Sequence, residues 1–508
     1  MRITLVIVPW AYQHKGKRVQ PHLGLGYVAA SLEQAGHQVK IIDGGLRRKV
    51  IPAEITRDVL ADEPDVVGVT CTSDDRFSAI AICNEVKAAL PRCLVMVGGP
   101  HFGYTAEDAL AHVPGIDVVV TEEGEDTAVE LVEFWRQNRD LAGVRGIAYR
   151  EPDGRPVRTP ERPLIMELDR YPMAWHLYDL EQYQGVMSAE TKTRAVGLIS
   201  ERGCPAKCSF CFISTMRKMR YRSPKLFVDE IEMLHTQYGM PGFNFQDDTW
   251  GASRKQCMAI CEEIVARGLG DKIRWFCGPR IDSVDRELLG LMQRAGCVAL
   301  GYGIETGTDR MMAAIRKDTT TQQVRETVKL TGEMGFEYVN LNLMISLPGQ
   351  TLEDIDETIK FFQELHGYIP HNKAKQFLIG QPCGIYPGTE MERIAKMEGS
   401  LPKDFSWNAP YAYSKAHIFG VMETIPHYEN PHLSIEEIFV HLDKVLWKYK
   451  AKNAIRYFRQ AQSAHDVLCI AEAAGHHLSL AARAAIKRVI RFFFPNVGGP
   501  TLPREYMQ

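Results

Sequence analysis

Ala195-Val196-Gly197-Leu198-Ile199-Ser200-Glu201-Arg202-Gly203-Cys204-Pro205-Ala206-Lys207-Cys208-Ser209-Phe210-Cys211 is the stretch that decides the fold. Its first five residues are apolar, as a buried strand requires. They run into a loop with the spacing Cys-x3-Cys-x2-Cys. Three thiolates this close in sequence can converge on one soft metal centre. A four-ligand zinc site would need a fourth Cys or His, and none follows within twenty residues. Three ligands instead leave one iron of a [4Fe–4S] cube open, and an open position holds a substrate or cofactor.

Downstream of this loop, strand and helix alternate to about Thr389. Strands are expected at Ala195–Ile199, Phe243–Gln246, Ile273–Phe276, Val298–Gly303, Tyr338–Ile345 and Gln376–Ile379. Amphipathic helices lie between them, at Val228–Tyr238, Arg254–Arg267, Arg286–Ala295, Thr321–Met334 and Leu352–Leu365. Six such units suit a partial barrel or an open curved sheet, because a full eight-unit barrel takes about 250 residues. Barrel chemistry sits at the strand C-terminal ends. There the sequence offers Phe245-Gln246-Asp247-Asp248, then Gly301-Tyr302-Gly303-Ile304-Glu305, then Asn342 and Ser346 before the Pro348-Gly349 turn.

Upstream, residues 1–150 hold a first α/β series. Its strands are Ile3–Val8, Val39–Ile42, Asp65–Thr70, Cys93–Val97 and Asp117–Thr121. Its helices are Leu23–Ala35, closed by Gly36, then Arg76–Leu90 and Tyr104–His112. Strands apolar throughout and separated by helices imply a doubly wound, Rossmann-like parallel sheet with its ligand at the carboxyl ends. Four loops end or follow these strands: Pro21-His22-Leu23-Gly24, Thr70-Cys71-Thr72-Ser73, Val97-Gly98-Gly99-Pro100-His101 and Thr121-Glu122-Glu123-Gly124-Glu125. Paired glycines let a ligand approach the backbone, and four such loops on one sheet edge point to a bound cofactor.

Residues 151–194, with Pro152, Pro156, Pro160, Pro163 and Pro172, read as a linker. The expected division is therefore 1–150, linker 151–194, barrel 195–390 and a mainly helical C-terminal domain 391–508. In the last, Ile435–Tyr449, Ala451–Gln462 and Leu478–Phe494 have helical spacing. Arg483, Lys487, Arg488 and Arg491 lie along one face of the final helix. Packing on the barrel is the preferred reading, with peripheral membrane contact the lesser one. Trp407, Tyr411, Tyr413 and Tyr386 read as buried structural aromatics before pocket walls.

The net charge of -3 over 508 residues gives no reason to expect nucleic acid as a partner. No apolar run reaches the roughly 18–20 residues of a membrane span. Most of the 12 cysteines stand singly in apolar runs, as in Cys71, Cys83, Cys93, Cys297 and Cys469. They read as reduced thiols of a cytoplasmic protein.

The Cys204–Cys211 loop, with Phe210 before its last cysteine, resembles that of the radical S-adenosylmethionine superfamily. The resemblance implies a [4Fe–4S] cluster on Cys204, Cys208 and Cys211, with S-adenosylmethionine on the open iron and an external flavodoxin- or ferredoxin-like electron donor. It places Phe210 by the adenine and Gln246, Asp247 and Asp248 near the methionine amino group, where the family often has Gly-Gly-Glu. Glu305 is then the ribose candidate, with Asn342 and Ser346 near the adenine pocket. The sheet domain in front resembles the cobalamin-binding domain of cobalamin-dependent members. That implies cobalamin contacts from His22, Leu23, Gly24, Thr70, Ser73, Gly98, Gly99, Pro100, His101, Glu123, Gly124 and Glu125. The Asp-x-His-x-x-Gly motif that supplies a cobalt ligand elsewhere is absent, so His22 and His101 are expected to hydrogen-bond. The implied reaction is methyl transfer to an unactivated carbon of a small natural-product or lipid-like molecule. Cyclisation, ring rearrangement or oxidation without methyl transfer is the alternative. A thiotransferase or RNA-modifying enzyme would bring a second cysteine triad or a basic tail, and a corrinoid-binding regulator a DNA-binding module. None of these is read here.

Overall fold

A computed structural model of the chain describes residues 1–8, 20–46, 52–183, 185, 193–215, 218–369, 381–409, 425–442 and 444–445. Met1–His432 forms one compact unit and Leu433–Gln508 a second. The first unit thus runs past residue 390, where the sequence reading placed a boundary. In the second, residues 435–442 are helical. The rest of that expected helix, the helices Ala451–Gln462 and Leu478–Phe494, the strand Gln376–Ile379, Tyr411 and Tyr413 lie outside the described residues.

The first domain runs β1 (Arg2–Ile7), α1 (Leu23–Gln34), β2 (Gln38–Asp43), α2 (Pro52–Ala61), β3 (Val66–Thr70), α3 (Arg76–Ala89), β4 (Leu94–Gly98), α4 (Gly99–Phe102), α5 (Ala106–His112), β5 (Val118–Val120), α6 (Gly124–Arg136), β6 (Ile147–Arg150) and β7 (Pro156–Arg158). The strand order is β2-β1-β3-β4-β5-β6-β7. β1 to β5 pair in parallel, as the apolar runs predict. β6 and β7 add antiparallel to the edge, which the sequence reading missed. Pro156 is tolerated there because an edge strand has an N–H side that needs no partner. Alternation explains the apolar runs. Ile3, Leu5 and Ile7 pack with α1 and α6, while Val6 and Val8 pack with α2, α3 and α5 on the other face. The expected helix Tyr104–His112 starts instead at Ala106, after the short α4.

The proline-rich segment after β7 is more than a tether. Met173, Trp175, Tyr178 and Tyr183 are buried and join the core shared by α1 and the barrel. Methionine 173 lies so close to Gly26 that a Cβ there would stand 2.2 Å from its sulfur.

The second series begins with β8 (Ala195–Leu198) and a small antiparallel pair, β9 (Glu201–Arg202) and β10 (Arg220–Tyr221). It continues through α7 (Pro224–Tyr238), β11 (Gly242–Trp250), α8 (Arg254–Ala266), β12 (Arg274–Pro279), α9 (Arg286–Arg294), β13 (Cys297–Glu305), α10 (Asp309–Ala314), α11 (Thr321–Met334), β14 (Tyr338–Ile345), α12 (Leu352–Tyr368), β15 (Gln381–Pro382) and α13 (Glu390–Glu398). β8, β11, β12, β13, β14 and β15 form one parallel sheet in that spatial order. This is the six-stranded partial barrel that the spacing predicts, with its last described strand at Gln381–Pro382.

Period two sorts the barrel residues. Phe243 and Phe245 on β11 face the helices, where Phe245 stacks on Trp275 at 4.5 Å between centroids. Asn244, Gln246 and Asp248 alternate to the less buried face. The segment after β15 returns over the barrel and buries Ile385, Met391, Trp407 and Tyr428 against Met311, Ile315 and Leu347.

Candidate cofactor sites

The cysteine loop is pinned at both ends by residues far away in sequence. Ser200 and Glu201 donate their N–H groups to Asp247 Oδ1 at 2.6 and 2.9 Å, and Ser200 Oγ donates to Asp247 Oδ2 at 2.8 Å. Gly203, at φ +99°, donates its N–H to Asp248 Oδ2 at 2.7 Å. Beyond Cys208, Ser209 gives both its N–H and its hydroxyl to the Ile315 carbonyl, at 3.0 and 3.3 Å. The Ser209 carbonyl accepts the N–H of Met391, at 2.8 Å. Phe210 packs against the core that contains Met311 and Ile315.

Cys204, Cys208 and Cys211 are reduced and half-buried. Among the described residues no three Cys, His, Asp or Glu side chains stand close enough to hold a single ion together. A cube takes one thiolate per iron, so its ligands stand further apart than those around one ion. Three reduced thiols on one clamped loop fit that arrangement. Burial pushes the Cys208 thiol up, while Lys317 and Arg280 draw it back.

Buried acids stand behind the loop. Asp247 is half-buried on β11, and desolvation pushes its carboxyl up to about 7, against the pull of the Ser200 and Glu201 hydrogen bonds. Neither carboxyl oxygen of Glu201 meets a hydrogen-bond partner among the described residues. Burial, then Asp247 and Asp248, push Glu201 up to about 9 from an ordinary 4.5. In the unfolded chain Glu201 ionises near pH 4.5, whereas the fold holds the proton. Stability therefore falls as pH rises between those values, by at most about 1.4 kcal/mol per unit for one group. Glu201→Gln should flatten that slope between about pH 5 and pH 9. Urea unfolding at several pH values measures it, and parallel slopes for the two proteins would refute the assignment.

A cavity of about 310 Å³ opens between the carboxyl edge of the first sheet and the root of the cysteine loop. Leu5, Val69, Met96, Val97 and Val120 make an apolar wall. Of the residues singled out from sequence, His22, Gly24, Thr70, Gly98, Gly99, Pro100, Glu123, Gly124, Glu125, Gln246 and Asp248 line it. Ile199, Glu201, Arg202, Ile213 and Arg220 also line it and were not foreseen. Gly99, at φ +86°, is required by packing, since a Cβ would stand 2.5 Å from Thr70 Oγ1.

Leu23 is a core residue instead. Ser73 and His101 bond each other, Oγ to Nδ1 at 3.0 Å, and His101 Nε2 meets Asn408 Oδ1 at 3.1 Å. Burial, then Arg76, push His101 down to about 3, so it is neutral with both ring nitrogens engaged. His22 caps α1, its Nδ1 accepting the Leu25 N–H at 3.1 Å.

One charge cluster joins the cavity to the cysteine loop. Arg202 donates to Glu123 at 3.0 Å and to Glu125 at 2.7 Å. Arg220 donates to both Glu123 oxygens at 2.7 Å. Burial pushes the Glu123 carboxyl up, but Arg220 and Arg202 more than reverse this and hold it below its ordinary value. Antiparallel pairing of Arg202 with Arg220 puts both side chains on one face of the small ribbon.

The remaining barrel residues divide. Gln246 bonds Gln20. Asn342 Oδ1 accepts from Asn340 Nδ2 at 3.0 Å. Glu305, at φ +70°, pairs with Lys317 at 3.2 Å. Ser346 is buried at φ +57°, and its hydroxyl donates to the Tyr428 carbonyl at 2.7 Å. Trp407 is buried, with its carbonyl accepting from Arg76 at 2.9 Å, while Tyr386 is 38% exposed. Ser209, Arg202, Arg220 and Lys317 carry no local signal, since each acts through a partner distant in sequence.

Among the described residues no helix is long and apolar enough to cross a membrane. The B12 binding domain family matches residues 12–132, and the Radical SAM superfamily matches residues 198–362. An uncharacterized methyltransferase of Pyrococcus horikoshii is 30% identical over 477 residues, covering 91% of this chain and 99% of the relative. The anaerobic magnesium-protoporphyrin IX monomethyl ester cyclase of Rubrivivax gelatinosus is 29% identical over 350 residues, 68% of this chain and 62% of its own. The fold is similar to that of the cobalamin-dependent S-adenosylmethionine radical enzyme OxsB, solved with aqua-cobalamin and S-adenosylmethionine bound. That match has a TM-score of 0.69 at 16% identity and covers 98% of this chain and 73% of the other. With a sheet domain and a partial barrel in the order of those two families, and a relative matched nearly end to end, the chain belongs to the B12-binding radical S-adenosylmethionine enzymes.

Proposed function

We propose that the chain transfers a methyl group to an unactivated carbon of a small molecule. Cys204, Cys208 and Cys211 would hold a [4Fe–4S] cluster, with S-adenosylmethionine beside it and cobalamin in the cavity. The observation that carries this reading is the shared cavity. One wall is the carboxyl ends of β3, β4 and β5, and the other is Ile199, Arg202, Gln246 and Asp248 at the barrel mouth. When bound, the three groups supply one-electron bond cleavage and a transferable methyl group.

The protein's own part is placement and exclusion of water. Asp247, Asp248 and Ser209 fix the path of the cysteine loop. Phe210, Gln246, Glu305 and Asn342 remain the S-adenosylmethionine contacts, with Asp248 both anchoring the loop and facing the cavity. Asp247 and the Ser346 hydroxyl are committed to the backbone, so we assign them to support. His22, Gly24, Thr70, Gly98, Gly99, Pro100 and Gly124 contact cobalamin, while Leu23, Ser73 and His101 hold the wall behind. A neutral His101 with both nitrogens hydrogen-bonded has no lone pair to offer cobalt. Reduced thiols and one-electron chemistry fit a cytoplasmic setting with a flavodoxin- or ferredoxin-like donor.

The cyclase relative favours a second reading, ring closure or oxidation without methyl transfer. Anaerobic incubation with a strong reductant, cobalamin and S-adenosylmethionine separates the two. We expect both 5′-deoxyadenosine and S-adenosylhomocysteine. Deoxyadenosine alone would transfer the assignment to the second reading, and neither product would overturn both.

A further inference from the structure

The last described barrel strand runs straight into a second short ribbon. Cys383, the residue after β15, donates its N–H to the Ile345 carbonyl at 2.9 Å. Ile385 then donates its N–H to the Pro426 carbonyl, and Tyr428 its N–H to the Cys383 carbonyl, each at 2.8 Å. Gly384 stands directly opposite His427 in this antiparallel pair. Period two divides the ribbon. Cys383, Ile385 and Tyr428 enter the core that holds Met311 and Trp407. Gly384, Tyr386 and His427 share the other face, and Gly384 leaves a notch there. The Tyr386 ring folds back over that notch. A Cβ at Gly384 would stand 3.1 Å from the ring and 3.5 Å from the phenolic oxygen. Side chains directly opposite in such a pair have Cβ atoms about 4.5–5.5 Å apart, so the phenol hydroxyl lies beside His427.

Two sets of contacts place this face. Gly388, two residues past the phenol, lies against Tyr104, whose ring would be 2.4 Å from a Cβ there. Tyr104 meets Phe212 edge to face, 6.1 Å between centroids, and Phe212 follows Cys211. The ribbon therefore adjoins the cysteine loop. On its other side, Arg76 ties the loop after β3 to the same core. It donates to the Ser73 carbonyl at 2.5 Å and to the Trp407 carbonyl at 2.9 Å. That loop carries Asp74, half-buried, at the carboxyl edge of the first sheet. Burial, then Asp74, push the Tyr386 phenol up to about 12, so it keeps its proton. Burial pushes the Asp74 carboxyl up as well, and Arg76 and His427 only partly draw it back. Arg76 is fully buried beneath the loop, so its charge supports Asp74 from behind.

We propose that Asp74, Tyr386 and His427 form a head-group subsite for the substrate, and that the head group is a protonated amine. This rests on the reading above and narrows its small molecule to a class. The ribbon leaves the carboxyl end of the sixth barrel strand, the end at which barrel chemistry sits. Asp74 supplies the countercharge, the Tyr386 ring a π face, and His427 a ring-nitrogen lone pair. An anionic head would repel Asp74, and a neutral alcohol would leave that desolvated charge uncompensated.

The test is equilibrium binding by ligand-observed NMR to the full chain, reconstituted anaerobically with iron, sulfide and hydroxocobalamin. Benzylamine, benzyl alcohol and benzoate are the probes, since they share one body and differ in the charge of the head. Benzylamine should bind about tenfold more tightly than the other two, and Asp74→Asn should remove that preference. Equal affinity for the three probes, absence of benzylamine binding, or an Asp74→Asn protein that binds benzylamine like wild type would overturn the proposal. Cobalamin absorbance and the reduced-cluster EPR signal report whether each variant is intact. Should Asp74→Asn lose them, Gly384→Ala decides. Its methyl displaces the phenol from the notch, so benzylamine affinity should fall severalfold, and an unchanged affinity would overturn the subsite. Binding needs no turnover. A chain that holds benzylamine in this way yet forms no S-adenosylhomocysteine would overturn methyl transfer and leave the subsite standing.

Discussion

Cys208→Ala is expected to abolish the iron–sulfur EPR signal of the reconstituted protein and, with it, all cleavage of S-adenosylmethionine. Cys208 is the middle thiol of the loop. Its neighbour Ser209 is clamped between the Ile315 carbonyl and the Met391 N–H, so the loop cannot slide to bring another thiol into place. The next cysteines along the chain are committed elsewhere. Cys257 and Cys261 are fully buried on α8, within the hydrophobic core. Cys257→Ala is therefore the control. It removes one small buried group, should lower stability modestly, and should leave iron content unchanged. Iron analysis and EPR after anaerobic reconstitution measure both variants. A Cys208→Ala protein with full iron content and wild-type deoxyadenosine formation would sink the ligand assignment.

The second large effect lies at the joint between the domains. Glu123→Gln removes the carboxylate that Arg202 and Arg220 share, and the Arg220 side chain is only 1% exposed. An uncompensated buried charge costs about 3–5 kcal/mol. We expect a loss of that order in denaturant unfolding, together with weaker corrinoid binding, because Glu123 also lines the cavity. The double variant Glu123→Leu/Arg220→Met removes both charges and leaves Arg202 paired with Glu125 at 2.7 Å. It should recover most of the stability and little of the corrinoid affinity. If the single variant unfolds like wild type, the cluster is a surface pair in effect, and the joint is held by apolar packing.

Both predictions depend on contacts of long sequence separation, which is where the sequence reading thins. The strands of the first sheet were legible because each is buried on both faces, so every residue of β3 is apolar or small. β6 and β7 were not, because an antiparallel edge pair needs no such run. Asp247 and Asp248 look equivalent as neighbours. Strand pleating sends them to opposite faces, one to the loop backbone of Ser200 and Glu201 and one to the cavity rim. The paired glycines read as a sheet-edge loop, and Gly99 is demanded by Thr70 as well as lining the cavity.

The sequence by itself determined the cysteine loop, because its three thiols lie within eight residues and their spacing is a local property. It also determined the two α/β series, through apolar periodicity that every strand carries within itself. Only the tertiary structure decided what holds the loop. Ser209 reaches Ile315 across 106 residues, Arg202 reaches Glu123 across 79, and Ser346 reaches Tyr428 across 82. Such contacts form when separate elements pack, so their partners leave no trace in the spacing of either segment.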